Sequence, residues 1–292
     1  MITLASWLGQ AEKRLRLARR DAPRLAAGLL AAHTLDLPRT ARFTHDDRVL
    51  DPQELDRLEA ALARRLAGEP LAYILLARAF YGRDFLVTPD TLIPRPETEH
   101  LVEAALACPP GPSGLAGRLR FADLGTGSGC IAITLAAERP LWSGVAVDAS
   151  PGALDVARLN AGTHNVGARL LFVRADMCRP LFTPGGLDLV VSNPPYVSLP
   201  EYRELDPEVW HEPRQALMPL SLNPASPHGL ECLEAVIRQA AEALAPGGRM
   251  CLEHGSGQAG AVSMCLFNNM WSDVLVLQDL AGNDRVTVAV RV

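Results

Sequence analysis

At 292 residues the chain can hold one mid-sized domain and a smaller one, and its 48 % hydrophobic and 21 % charged make-up excludes a disordered chain, a collagen-like repeat and a coiled-coil rod. The net charge of −5 lacks the broad positive field of a non-specific nucleic-acid binder, although residues 1–80 carry 13 basic and 10 acidic side chains against 15 and 23 in the remainder. Apolar runs such as Ile131 to Ala137 fall well short of the ~20 residues a membrane span needs. The six cysteines (108, 130, 178, 232, 251, 265) make no CxxC pair and have no histidine at zinc spacing, so no metal and no disulfide framework is expected, as in a cytoplasmic protein with reduced thiols.

Residues 1–76 read as a small helical bundle. Leu4, Leu8, Ala11 and Leu15 recur at helical spacing, and the pattern continues through Leu25, Leu29 and Leu30. Lys13, Arg14, Arg16, Arg19 and Arg20 superficially resemble an Arg-rich transit peptide, but on that stripe they are the solvated face of a folded helix. Asp51-Pro52-Gln53-Glu54 offers an N-cap, a proline at the first helical position and an acid three residues after the cap; Leu55, Leu58, Leu62 and Leu66 form the stripe that Gly68 ends. Within 77–93, Phe80, Tyr81, Phe85 and Val87 around Gly82-Arg83 suggest a short β-hairpin linker. Pro94, Pro96 and Pro109-Pro110-Gly111-Pro112 punctuate the entry to the second domain, 94–292.

After residue 118, apolar runs at 119–124, 143–147, 169–174, 187–192 and 248–253 alternate with helical segments, and runs at 273–278 and 285–291 flank the turn Gly282-Asn283-Asp284. This is the pattern of an α/β, Rossmann-like seven-stranded domain. Residues 219–229 read as a loop.

Asp123-Leu124-Gly125-Thr126-Gly127-Ser128-Gly129 lies between an expected strand and an expected helix, where a Gly-rich turn lets backbone approach a ligand. A dinucleotide fingerprint starting at Gly125 would need glycine at 130, which is Cys130, so a nicotinamide-dependent oxidoreductase is the weaker reading. The D-x-G-x-G-x-G spacing instead resembles motif I of S-adenosylmethionine-dependent methyltransferases. Asp148 ends the next strand, about 20 residues on, where it can accept from both ribose hydroxyls. Asp176 and Met177, after the third strand, can supply an acceptor for an adenine amino group and an apolar wall for its ring. With Asn193, these positions (Asp123, Gly125, Thr126, Gly127, Ser128, Gly129, Asp148, Asp176, Met177) form the candidate cofactor set.

Asn193-Pro194-Pro195-Tyr196 follows the fourth strand of this domain, at the carboxyl end where doubly wound sheets place ligands. These four are the candidate catalytic residues. A planar NH₂ group, on a glutamine or a nucleobase, is a poor nucleophile because its lone pair is delocalised. An asparagine side-chain oxygen can accept one N–H and the Pro194 carbonyl the other, which aims the lone pair at a sulfonium methyl. Tyr196 can lie against the flat group, and no carboxylate base is needed.

Over nearly its full length the chain resembles the release factor glutamine methyltransferase family. The resemblance is carried by Gly68-Glu69-Pro70-Leu71-Ala72-Tyr73-Ile74, Ile93-Pro94-Arg95-Pro96-Glu97-Thr98-Glu99, the glycine turn, Asp148, Asn160, Asp176, Ser192 to Tyr196, Glu212-Pro213 with Ala216-Leu217, and Asn283-Asp284-Arg285-Val286. It implies a helical substrate-recognition domain (1–76) and S-adenosyl-L-methionine as cofactor. The implied reaction is N5-methylation of the glutamine in the Gly-Gly-Gln motif of peptide chain release factors 1 and 2. A monomer without stable nucleic-acid binding is expected. The same site chemistry would suit an N6-adenine or N4-cytosine nucleic-acid methyltransferase, which the acidic second domain disfavours, or a ribosomal-protein glutamine methyltransferase, which the Ile93–Glu99 run disfavours. A binding module without turnover is disfavoured by the intact glycines, Asp148 and Asn193–Tyr196. Relatives usually carry glycine where Leu76 stands, and a Gly-Gly-Asp-Gly-like stretch where this chain has its 219–229 loop. Arg95, Glu97 and Glu99 read either as active-site contacts or as a salt-bridged entry to the following helix and stay outside the catalytic set, and His254 reads as a satisfied polar residue.

Overall fold

A computed structural model describes residues 1–38, 47–109, 117–219 and 229–292. The 219–229 loop therefore falls almost wholly outside the described residues, as do residues 110–112 of the proline-rich run. The chain forms two compact units, Met1–Ala77 with Asp206–His211, and Arg78–Leu205 with Glu212–Val292. No helix among the described residues is long and apolar enough to cross a membrane.

The first unit packs α1 (Leu4–Leu17), α2 (Pro23–Thr34), α3 (Pro52–Leu66) and the short α4 (Leu71–Leu75) around Leu4, Trp7, Leu15, Leu30, Leu58 and Leu62, each 1 % exposed or less. The Asp51 cap forms as its spacing predicts: Asp51 Oδ1 accepts the Glu54 N–H at 2.8 Å and the Glu54 carboxylate accepts the Asp51 N–H at 3.1 Å. Leu76, at the helix C-cap, adopts a left-handed φ of 52°, a conformation that suits glycine and strains leucine, and nothing in the structure explains the leucine here. Arg65, 3 % exposed, is held by the Glu208 carboxylate at 2.6 Å and the Glu69 carbonyl at 3.0 Å, so the 206–211 segment is fastened into this unit by a nearly buried ion pair.

The second unit opens with the hairpin β1 (Arg78–Phe80) and β2 (Arg83–Phe85), whose Phe80 and Phe85 meet edge-to-face at 6.0 Å in its core. It continues through α5 (Thr98–Leu106), β3 (Leu119–Leu124), α6 (Cys130–Glu138), β4 (Trp142–Asp148), α7 (Pro151–Thr163), β5 (Leu170–Arg174) and β6 (Leu187–Ser192). Beyond these come α8 (Leu199–Glu204), α9 (Arg214–Leu217), α10 (Glu231–Ala243), β7 (Leu244–Glu253), α11 (Ala259–Leu266), β8 (Trp271–Gln278) and β9 (Asp284–Arg291). Among the described residues, seven strands form one sheet in the order β5-β4-β3-β6-β7-β9-β8, parallel except for β9 and β8. Buried runs such as Leu187–Ser192, with every residue inaccessible, mark strands covered on both faces. One apolar layer is built on Phe121, Ile131, Ile133 and Leu101, the other on Leu233, Val236, Leu252 and Val262.

The sequence places the fifth parallel strand at 248–253, whereas β7 begins at Leu244, where it pairs with Leu187 before a register irregularity. Its extra residues, Leu244-Ala245-Pro246-Gly247, carry no apolar alternation, so the pattern conceals them. The turn between β8 and β9 is organised by Asp279, whose Oδ1 accepts the N–H groups of Ala281 and Asn283, each at 2.9 Å.

Candidate active site

The chain runs β3 to β4 to β5 outward, then returns to place β6 on the other side of β3. A crevice is thereby created at the carboxyl ends of these strands. The glycine turn follows β3, Asp148 ends β4, Asp176 follows β5 and Asn193 follows β6. The strand ends are tied to one another, with the N–H groups of Gly125 and Thr126 both meeting the Val147 carbonyl at 2.9 Å, and Ser192 Oγ donating to the Leu124 carbonyl at 2.6 Å.

A cavity of about 310 Å³ opens there, the size of a small-molecule site, and Gly125, Gly127, Asp148, Asp176, Met177, Asn193 and Pro195 all line it. Asp148 is fixed before any ligand arrives: Oδ2 accepts the Gly127 N–H and Oδ1 the Ser150 N–H, both at 2.9 Å. The Ala149 N–H also favours this carboxylate, and the four lone pairs of its two oxygens leave it acceptor capacity beyond these donors. Burial pushes its carboxyl above the usual range, against those backbone bonds. Asp176 Oδ1 accepts the Cys178 N–H at 2.9 Å. Met177 reaches over Gly125, where an added Cβ would lie 2.9 Å from the methionine methyl group.

The other members of the candidate set stand outside the cavity lining. Asp123, fully buried, accepts Thr126 Oγ1 at 2.7 Å and the Ala132 N–H at 3.2 Å through Oδ2, bracing the glycine turn from beneath. Burial pushes its carboxyl up to about 7. Gly129 caps α6 with φ 82°, and the Ser128 carbonyl receives Asn160 Nδ2 at 2.8 Å. Asn193 donates through Nδ2 to Thr98 Oγ1 at 3.1 Å, which leaves Oδ1 as its acceptor end. Pro194 and Tyr196 do not line the cavity. Tyr196 packs against the second apolar layer, and burial together with the charge of Glu253 pushes its hydroxyl up to about 12. Its carbonyl accepts Gln258 Nε2 at 3.0 Å, and the neighbouring Val197 N–H meets the Leu217 carbonyl at 2.9 Å.

Several residues at or around the site lie outside the candidate catalytic and cofactor sets, some of them named only among the positions that carry the family resemblance. Asp90, Thr91 and Leu92 line the cavity, as do Gln215 and Ala216. The two stretches are clamped by Glu212, 4 % exposed, which accepts the Ile93 N–H at 3.0 Å and Arg95 Nη2 at 2.6 Å. Arg95 thus pairs with a glutamate 117 positions away, not with an acid of the helix it precedes. Glu97 stands at the N-cap of α5, and Glu99 accepts the Tyr81 N–H at 2.8 Å. Asn160 clasps the Leu86 backbone through both amide atoms, at 2.8 and 3.0 Å. His254, fully buried, meets the Gly255 carbonyl and Thr287 Oγ1, each at 2.9 Å, and burial lowers its pKa.

Family comparison adds an independent line. Residues 6–75 match the PrmC N-terminal domain and residues 114–212 the methyltransferase small domain. The release factor glutamine methyltransferase of Nitratidesulfovibrio vulgaris is 46 % identical over 99 % of this chain and 95 % of its own length. Those of Cereibacter sphaeroides and Neisseria gonorrhoeae are 44 % and 39 % identical, over 93 % and 98 % of this chain and 91 % and 97 % of theirs. A methyltransferase structure from Pyrococcus furiosus shares the fold, with a TM-score of 0.51 and 18 % identity over 80 % of this chain and 98 % of that one. With such identity along essentially its whole length, the chain belongs to the release factor glutamine methyltransferase family.

Proposed function

We propose that this protein transfers a methyl group from S-adenosyl-L-methionine to the N5 amide nitrogen of the glutamine in the Gly-Gly-Gln motif of peptide chain release factors 1 and 2, in the cytoplasm. Residues 1–76 would recognise the factor, 77–93 link, and 94–292 carry the reaction. The reading rests above all on Asn193, which lines the cavity with its amide nitrogen committed to Thr98 and its oxygen left to accept.

The residues present fit the cofactor. Asp148 has acceptor capacity left for ribose hydroxyls, Asp176 an acceptor for the adenine amino group, and Met177 an apolar surface for the ring. A Cβ on Gly127 would meet no atom of the described residues within 4 Å, so the cradle there is open to a ligand. S-adenosylmethionine supplies an electrophilic methyl on a sulfonium.

The protein's part in the chemistry is orientation and charge. Asn193 Oδ1 and the Pro194 carbonyl accept the two N–H bonds of the glutamine amide, turning its lone pair toward the cofactor. As nitrogen gains positive charge, both acceptors stabilise it, and the proton departs after transfer without a dedicated base. Pro195 lines the wall against which the amide lies, and Pro194 and Tyr196, the latter packed into the second apolar layer, stiffen the loop that carries it.

The test is transfer of labelled methyl from S-adenosylmethionine to purified release factor, beside a Gln→Ala variant of its Gly-Gly-Gln motif and a duplex DNA control. Label on the wild-type factor alone is expected. Label on DNA, or on the Gln→Ala factor, would refute the assignment.

A further inference from the structure

Behind Asn193 lie two nearly inaccessible polar side chains that the reaction so far leaves without a task. Thr98, the first residue of α5, is 2 % exposed and receives Asn193 Nδ2 on its Oγ1 at 3.1 Å. Glu253, the last residue of β7, is 1 % exposed, and among its neighbours the Thr98 hydroxyl does most to favour its charged form. Its Oε2 has no hydrogen-bond partner among the described residues. A carboxyl buried with an unmatched oxygen is costly unless it serves something.

A threonine hydroxyl has one proton to give. If that proton goes to a Glu253 carboxylate, Oγ1 can only accept, and the Asn193 amide must present its NH₂ inward and its oxygen to the substrate. If Glu253 is itself protonated and donates, the threonine proton is released toward Asn193, and the amide can turn round to present NH₂ to the substrate's NH₂. We propose that Glu253 and Thr98 are positioning residues that set which end of the Asn193 amide faces the glutamine. The inference rests on the methyl-transfer reading for its consequence, though not for its geometry.

The charges around Glu253 give the relay a pH dependence. Arg285 of β9 and Arg95 favour the carboxylate, Glu97 opposes it, Tyr196 and Cys130 face it as neutral groups, and burial outweighs the rest, pushing Glu253 up to about 7. Turnover should therefore rise as pH climbs through that value.

Thr98→Val, which keeps the shape and removes the hydroxyl, is expected to lower kcat about 10- to 100-fold with cofactor Kd changed less than about twofold, and Thr98→Ser to restore most of it. Glu253→Gln, whose carbonyl accepts from Thr98 at every pH, is expected to abolish the rise near pH 7. A second readout needs no turnover: in ¹⁵N-asparagine-labelled protein, the Asn193 side-chain NH₂ signal, assigned by its loss in Asn193→Ala, should exchange with water at least about tenfold faster in Thr98→Val. Wild-type exchange and kcat in Thr98→Val, or an unchanged pH rise in Glu253→Gln, would overturn the proposal. Should the wild type transfer no methyl at all, the functional reading falls while the exchange rate still decides the relay.

Discussion

The glycine turn allows ligand binding and folding to be separated by two neighbouring substitutions. Gly127 and Gly129 both have positive φ, 55° and 82°, so alanine at either costs about 1–2 kcal/mol of backbone strain. Beyond that they diverge. At Gly127 a Cβ meets no atom of the described residues within 4 Å, and the residue lines the cavity, so the methyl group would take up space in the proposed cofactor site. At Gly129 the Cβ would come 2.7 Å from Ile133 Cδ1 and 3.2 Å from Ala157 Cβ, adding about 1–3 kcal/mol of overpacking. Gly127→Ala should thus lower the melting temperature by only about 2–8 °C, at ~2–4 °C per kcal/mol, and Gly129→Ala by more. In calorimetric titration with S-adenosylmethionine, Gly127→Ala should lose about 1–3 kcal/mol of binding, roughly 5- to 150-fold in Kd. Wild-type affinity in Gly127→Ala would refute the placement of the ligand over this turn, and a larger melting shift there than in Gly129→Ala would refute the packing argument.

Asp148→Ala should weaken cofactor binding by about 1–3 kcal/mol, since the ribose hydroxyls lose their acceptor and the Gly127 N–H its anchor; an unchanged isotherm would contradict the ribose assignment. Glu212→Ala should destabilise the second unit by about 2–4 kcal/mol by stranding the Ile93 N–H and Arg95, with Glu212→Gln milder because it keeps an acceptor, as read from denaturant melts of the two variants. Asp123 and Glu253 are both raised to about 7 from ordinary values of 3.8 and 4.5, so the folded state binds more protons than the unfolded one between those limits. Their contribution to stability is complete below about pH 4 and is lost as pH rises through 7; denaturation at pH 5.5 and 8.5 should show that fall, and Asp123→Asn should flatten it.

What could be read from the chain divides along the range of the interaction involved. The capping box at Asp51 and the β8–β9 turn are set by residues within five positions of one another, and each stands where the spacing places it; the glycine turn does too, although its backbone is also tied to Val147 and Asp148 some 20 positions on. The strand ends carrying Asp148, Asp176 and Asn193 were legible because alternating β and α segments bring successive strand ends to one edge of a parallel sheet. The clamp of Glu212 on Ile93 and Arg95 joins positions 117 to 119 residues apart, and no periodicity encodes such a partner. Thr98 was hidden for a different reason. It stands in a run distinctive enough to mark a family, but its task depends on Asn193, 95 positions on, and on Glu253 at the end of a strand beyond that. A motif tells which residues travel together; only the fold tells which atom of Asn193 is taken and which is left for the substrate. On the proposed mechanism that distinction is the chemistry, because an amide turned by half a revolution presents a donor where the glutamine needs an acceptor.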